Sequence, residues 1–316
     1  MARARNYCMH PKRVVFIWVF SAFVFFSAFQ MILKNSSRNY STSPDAPTSN
    51  MVKRARLYEK MSRDLDEHGP AFLNHGETSQ SLSLSDLFSV KDGAVTPNLK
   101  VANPPVRANV LYLSTEYSLP ISNAVKKIFS PYFDKAIWFQ NSSLYHFSMF
   151  HASHHISPVP ATHDEVEAEA NAVETVARSL CPLKIVLDRV ILTSTGVLLG
   201  CWQVTSGTDP TTVRAKLRNA LPHAPEKQLY DAAILHTSFA RLLGPPKIPN
   251  TEISKTSDTI QLFRNLVAHL NNQIGGFQAI VFELWYVEEL DVLALALDGR
   301  MNIRRFQLSC SETPET

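Results

Sequence analysis

Two tripeptides in this chain have the residue types needed for acid–base chemistry on a phosphate. They are His146-Phe147-Ser148 and His236-Thr237-Ser238, and each lies in a run predicted to be a strand, 144–150 and 233–239. Because side chains alternate across a strand, the imidazole and the hydroxyl of each tripeptide leave the same face. Two such strands side by side would place two imidazoles and two hydroxyls around one small anion.

Each residue type suggests a role in cleaving a phosphodiester. His146 and His236 are the candidate catalytic residues, since an imidazole can act as general base or general acid near neutral pH. Ser148 and Ser238 are the candidate phosphate-binding residues, whose hydroxyls would donate to the non-bridging oxygens. The chain shows no carboxylate cluster suited to a metal ion, so we expect neither a metal site nor another cofactor.

His-x-Ser also arises by chance in a chain with 11 histidines. It recurs in this region at 151–153 and 155–157, and strand alternation discriminates between the copies. If the residues at 145, 147 and 149 face the core, His146 and Ser148 face a cleft, and His151 falls on the core side. His155 directly precedes a proline-rich segment with loop chemistry. We therefore expect His151 and His155 to contribute little.

The N-terminal region contains a candidate membrane span. Residues 14–33 are predominantly apolar over a length that fits a bilayer, and basic residues are concentrated in the tail 1–13. The positive-inside rule then places this tail in the cytosol and the rest of the chain across the membrane. A cleaved signal peptide is the rival interpretation, although Phe26 spoils the best cleavage site. We expect a type II signal anchor in the Golgi or the endoplasmic reticulum, with a luminal C-terminal domain.

Other residues fit that orientation without requiring it. The sequons at Asn35, Asn39 and Asn141 are glycosylation candidates. Three cysteines follow the span, and a Cys181–Cys201 bridge is conceivable but not demanded by the spacing. The formal charge of +3 is dispersed, so we expect no binding of duplex nucleic acid.

The remaining chain divides by composition. Residues 34–105 are predicted to be a stem or linker, 106–310 a folded domain and 311–316 a tail. A short helix near 51–67 is interpreted as solvated, with self-association through the stem as the other interpretation. The domain is predicted to be α+β, with two lobes, each an antiparallel sheet beside a central cleft with helices outside. Within it we expect a hairpin of 135–139 with 144–150 and an amphipathic helix at 163–180. Further helices are expected at 121–132, 209–221 and 258–274, and strands at 107–113, 185–192, 196–204, 231–239, 279–288, 292–297 and 304–308.

The order and spacing of these features resemble the 2H phosphoesterase superfamily, which includes RNA ligase-like proteins and cyclic nucleotide phosphodiesterases. The family motif His-apolar-Ser/Thr-apolar is matched at 146–149 and 236–239, except that Thr237 is polar where the family usually has an apolar residue. The strand pair between the motifs and the segment 282–287 also look like the family. The resemblance covers about 107–308, and the anchor would make this a plant-type, membrane-anchored member.

The resemblance implies metal-independent hydrolysis of a small cyclic phosphate or an RNA end, with one histidine as base and the other as acid. Which histidine has which role stays open. Tyr145, Trp202 and Phe239 could contact a base, although aromatic residues in alternating strands usually belong to the core. Arg241 could reach a phosphate.

Two other function classes fit parts of the sequence. A luminal domain that binds a nucleotide or phosphate without catalysis would use the same cleft. A Golgi glycosyltransferase would share the topology, but the Asp-x-Asp triplet at 64–66 lies in the stem helix and outside the folded domain. The sequence therefore favours the phosphodiesterase, with the binding domain as the alternative.

Overall fold

The computed structural model describes residues 49–73, 83–91, 94–133, 135–247, 256–292 and 297–310. The predicted span at 14–33, its flanks, Asn35, Asn39 and the tail at 311–316 lie outside these ranges. Among the described residues, no helix combines the length and the apolar character needed to cross a membrane.

The described chain begins with three helices, after which groups of one to three strands are separated by single helices. The helices are α1 (Ser49–Ser62), α2 (Asp64–His68), α3 (Leu84–Leu87), α4 (Thr115–Phe133), α5 (His163–Arg178), α6 (Pro210–Ala220) and α7 (Thr256–Ile274). The strands are β1 (Phe88–Lys91), β2 (Ala94–Pro97), β3 (Lys100–Tyr112), β4 (Ile137–Phe139), β5 (His146–Ser153), β6 (Leu183–Leu192), β7 (Val197–Ser206), β8 (His236–Leu242), β9 (Gln278–Val281), β10 (Glu283–Val292) and β11 (Met301–Gln307).

Two antiparallel sheets dominate the fold. The first sheet has the strand order β11-β10-β3-β5, and the second has the order β4-β8-β7-β6-β9. Every strand pair in both sheets is antiparallel, and β1 and β2 form a separate hairpin. The α+β class with two antiparallel sheets, as predicted from the sequence, is therefore confirmed.

The sequence signals for α5 and α6 are also confirmed. Thr162 accepts a hydrogen bond from the backbone N–H of Glu165, whose carboxylate accepts from the N–H of Thr162, so a capping box starts α5. The apolar residues of α5 recur at helical spacing and are buried in the main core. Asp209 caps α6, and Pro210 occupies its first turn.

Two predicted strand arrangements are wrong. The hairpin of 135–139 with 144–150 does not form, because β4 pairs with β8 while β5 pairs with β3. A short 3-10 turn at Ser142–Leu144, capped by Asn141, redirects the chain from one sheet to the other. The run 279–288 is likewise two strands, since the chain passes from the second sheet to the first at the exposed Phe282.

The N-terminal helix α1 belongs to the folded domain. It packs on β6 and β7, and its Arg54 and Tyr58 are fully buried. The Arg54 guanidinium donates to Ala233 O at 2.8 Å and forms an ion pair with Asp209 at 2.7 Å. The interpretation of this segment as a solvated stem helix is therefore wrong. Amphipathic spacing shows that a helix has an apolar face, but it does not show what that face packs against.

Tyr58 joins α1 to the chain just before β8. Its hydroxyl lies 2.8 Å from Trp202 O and 2.7 Å from Leu235 O, and it accepts a hydrogen bond from Leu235 N at 3.1 Å. This hydroxyl satisfies buried backbone groups that water cannot reach. Leu235 directly precedes His236, so α1 helps to fix the start of β8.

The cysteine pairing differs from the bridge considered from the sequence. Cys181 is bonded to Cys310, and Cys201 is a buried free thiol beneath α1. Cys181 follows α5 and Cys310 follows β11, so the bridge ties the C-terminal end of the described chain to the middle of the domain. Spacing could not reveal this pairing, because the two cysteines are 129 residues apart.

Candidate functional site

The first His-x-Ser tripeptide lies on β5 as alternation predicts. His146 and Ser148 stand opposite Tyr112 and Val110 of β3 and are half-buried. Phe147 and Met149 point the other way and are buried in the main core. The open side of the first sheet therefore carries His146 and Ser148.

The second tripeptide repeats this arrangement on β8. His236 and Ser238 stand opposite Cys201 and Leu199 of β7 and are half-buried. Thr237 and Phe239 are buried. The hydroxyl of Thr237 has no hydrogen-bond partner among the described residues, so the polar departure from the family motif lies on the buried face.

A β-bulge changes the alternation after each serine. In β5 the register skips Met149, and in β8 it skips Phe239. One extra residue reverses which face the following side chains occupy. His151 consequently shares the face of His146 and Ser148, and Arg241 shares the face of His236 and Ser238.

The expectation that His151 lies on the core side is therefore wrong. The two strands instead present matching rows, His146-Ser148-His151 and His236-Ser238-Arg241, which we call the first row and the second row. β5 and β8 contact one another where the sheets meet, so the two rows approach each other.

Hydrogen bonding fixes the tautomer of His146. Its Nδ1 lies 2.8 Å from Leu144 O. Because a carbonyl oxygen only accepts, Nδ1 carries a proton and Nε2 is the atom left for chemistry. Burial lowers the pKa of His146, and the hydrogen bond to Leu144 opposes that shift.

His236 is held neutral more strongly than His146. Burial lowers the pKa of His236 to about 3, with smaller contributions from the positive charge of Arg214 and from His146. His151 is similar, because burial and then His154 bring its pKa to about 3. In the absence of a bound anion, His236 therefore stays neutral across the physiological pH range.

Arg214 of α6 binds backbone atoms of both motif regions. Its guanidinium donates to Ser148 O at 2.9 Å, to Met149 O at 3.0 Å and to Ala232 O at 2.7 Å. The first two carbonyls flank the bulge in β5, and the third lies shortly before β8. These hydrogen bonds hold the two regions at a fixed separation.

Arg241 is also buried, but the hydrogen-bonding capacity of its guanidinium is not fully used. It is only 4% exposed, and its Nη1 has no hydrogen-bond partner among the described residues. Burial lowers the pKa of this guanidinium to about 10, so it remains a cation. A buried cation with an unused donor, on the face of β8 that carries the second row, suits an anionic ligand.

Three aromatic residues named from the sequence as substrate contacts are not on the open face. Trp202 is fully buried and packs edge-on against Phe147 at 5.8 Å. Tyr145 and Phe239 are buried and stack on each other at 5.5 Å. The prediction that they contact substrate is wrong, because all three side chains are buried in the main core.

Two residues near the rows carried no recognisable sequence signal. Tyr230 lies in the loop before β8, and its ring is 5.0 Å from that of His236. Glu289 of β10 falls on the same face as the first row, is buried, and has its pKa raised by burial to about 8.

Asn141, the described glycosylation candidate, is exposed beside the 3-10 turn that it caps.

Comparisons with known proteins give structural likeness only. No family model matches the chain, and no curated protein matches it. TT0787 of Thermus thermophilus has 12% sequence identity and a TM-score of 0.44, covering 66% of this chain and 99% of its own. A protein described as a phosphoesterase has 14% identity and a TM-score of 0.37, covering 65% of this chain and 99% of its own.

Proposed function

We propose that this chain hydrolyses a small cyclic phosphodiester, such as a 2′,3′-cyclic nucleotide or an RNA end, with two histidines as base and acid. The observation that carries the proposal is the pair of matching rows, each with an imidazole and a hydroxyl on the open face. The buried Arg241, with its unused Nη1, adds a fixed positive charge for the phosphate. Ser148 and Ser238 donate to the non-bridging oxygens, where negative charge grows in the transition state.

The two imidazoles differ in their surroundings, and this difference supports one assignment of base and acid. In the proposed reaction His236 is the base, because burial and Arg214 favour its neutral form, which is the form able to accept a proton. It takes a proton from water as the water oxygen forms a bond to phosphorus. His146 is the acid, because its Nδ1–H remains bound to Leu144 O when the ring is protonated and Nε2–H is free to donate.

The proton that His236 takes up is matched by the proton that His146 gives away. The bond between phosphorus and one ribose oxygen breaks, and that oxygen receives the proton from Nε2 of His146. The product is a phosphomonoester, and exchange with solvent returns both rings to their starting states. The bound phosphodiester anion raises the pKa of His146 and so favours the protonated ring that the acid role needs.

We expect the full-length chain in detergent to convert a 2′,3′-cyclic nucleotide to a nucleoside monophosphate in the presence of a chelator. Phosphorus NMR separates the cyclic ester from the monoester and identifies which ribose oxygen is released. The double variant His146→Ala/His236→Ala serves as the inactive control.

The outcome also distinguishes the enzyme from a binding domain. Turnover that persists with chelator and disappears in the double variant supports hydrolysis by the histidines. If the chain binds the 2′,3′-cyclic nucleotides of all four bases but forms no product from any of them, it is a phosphate-binding domain and not an enzyme.

A further inference from the structure

The loop between α6 and β8 is fastened to β5 by a side chain. Gln228 Oε1 accepts from His151 N at 2.7 Å, and Gln228 Nε2 donates to His151 O at 3.1 Å. The amide thus pairs with a strand residue as a neighbouring strand would. Arg218 also donates to the carbonyls of Pro225 and Glu226, so the loop is held at several points.

Tyr230, two residues beyond Gln228, reaches both rows. Its ring meets the imidazole of His236 at 5.0 Å with an interplanar angle of 63°, and it lies 6.4 Å from that of His151. Ser148 of the first row lies close enough to the Tyr230 hydroxyl to lower the pKa of the phenol. One side chain therefore contacts an imidazole of the second row and lies near a hydroxyl of the first.

The surroundings of Tyr230 keep its hydroxyl available as a donor. Burial raises the pKa of the phenol, and the carboxylate of Glu289 raises it further, while Arg241 and Ser148 act in the opposite direction. The residue is half-buried, so part of its surface remains accessible to solvent. A neutral phenol beside Arg241 and Ser148 can donate a hydrogen bond to the anion that they would bind.

We propose that Tyr230 is a further ligand-contacting residue of this site: its hydroxyl donates to a non-bridging phosphate oxygen, and its ring fixes the plane of the His236 imidazole. The proposal rests on the proposed function. In the free protein, the Tyr230 hydroxyl lies near Ser148. When a phosphate enters, both donate to it from opposite rows.

The test compares Tyr230→Phe and Tyr230→Ala with the control Tyr132→Phe, which lies in an outer groove between α4 and α7. Loss of the Tyr230 hydroxyl is expected to lower kcat for a 2′,3′-cyclic nucleotide about 10²-fold, the scale for one transition-state donor, with a smaller change in KM. Tyr230→Ala should lower kcat further, and NMR titration should show an increased pKa for His236 because the ring no longer shields it. Tyr132→Phe should leave these quantities unchanged.

Product binding separates failure of this inference from failure of the proposed function. If the wild-type chain binds a nucleoside monophosphate without turning over a cyclic substrate, Tyr230→Phe should still weaken that binding about tenfold. Such a result would support the contact and reject the reaction. Unchanged kcat and unchanged monophosphate affinity in Tyr230→Phe would overturn the inference.

Discussion

His146→Ala and His236→Ala are each expected to lower kcat on a 2′,3′-cyclic nucleotide by roughly 10²–10⁴, the scale for losing one general acid or base. Both imidazoles are half-buried and lie on facing strands beside Ser148 and Ser238. Initial rates under saturating substrate measure the effect. The two losses should not add in the double variant, because base and acid act in one step.

The exposed His155 and His269 provide matched controls, since neither lies in either row. Their alanine variants should retain the wild-type rate. Urea unfolding should also show near-normal stability for His236→Ala, because the wild-type His236 imidazole makes no hydrogen bond within the described chain. Equal losses at all four histidines would indicate a general effect on folding and would count against the assignment.

Arg241→Met and Arg214→Met are expected to change stability in opposite directions. Arg214 satisfies three backbone carbonyls, so its loss should lower the free energy of unfolding by about 3 kcal/mol or more. Arg241 has an unpartnered buried Nη1, so its replacement should raise that free energy by about 1–3 kcal/mol. Urea unfolding of the two variants beside the wild type measures both shifts.

Ligand binding should separate the two arginines again. Arg241→Met should weaken binding of a nucleoside monophosphate by roughly 10- to 100-fold, because a charge-assisted hydrogen bond to phosphate is lost. Calorimetric titration measures this affinity, and Arg241→Lys should recover part of it by keeping the charge. If Arg241→Met were destabilised as strongly as Arg214→Met, Arg241 would be a structural residue.

The local part of the site could be predicted from the sequence. His146 and Ser148 share a face, as do His236 and Ser238, because strand alternation depends only on neighbouring residues. The same rule fails at His151. A bulge depends on how β5 fits the partner strand β3, and no residue near Met149 signals it.

Long-range contacts account for the other differences. Tyr230 stands in a loop, and only the folded chain brings its ring to His236 and its hydroxyl to Ser148. The helical spacing of 51–67 is correct for part of that range, but burial of Arg54 and Tyr58 depends on residues about 150–180 positions away. Sequence patterns specify elements more readily than the surfaces on which those elements pack.

The dependence of rate on the leaving group tests the acid–base pair most directly. An aryl phosphodiester with a 4-nitrophenyl group needs little protonation of its leaving oxygen, whereas a ribose oxygen needs a general acid. His146→Ala should therefore lose roughly 10²–10⁴ in kcat on the cyclic nucleotide but far less on the aryl ester. His236→Ala should lose similar factors on both, because both substrates need an activated water. Equal losses on the two substrates for His146→Ala would contradict its assignment as the acid, and absence of turnover on either substrate by the wild-type chain would contradict the paired-histidine reaction itself.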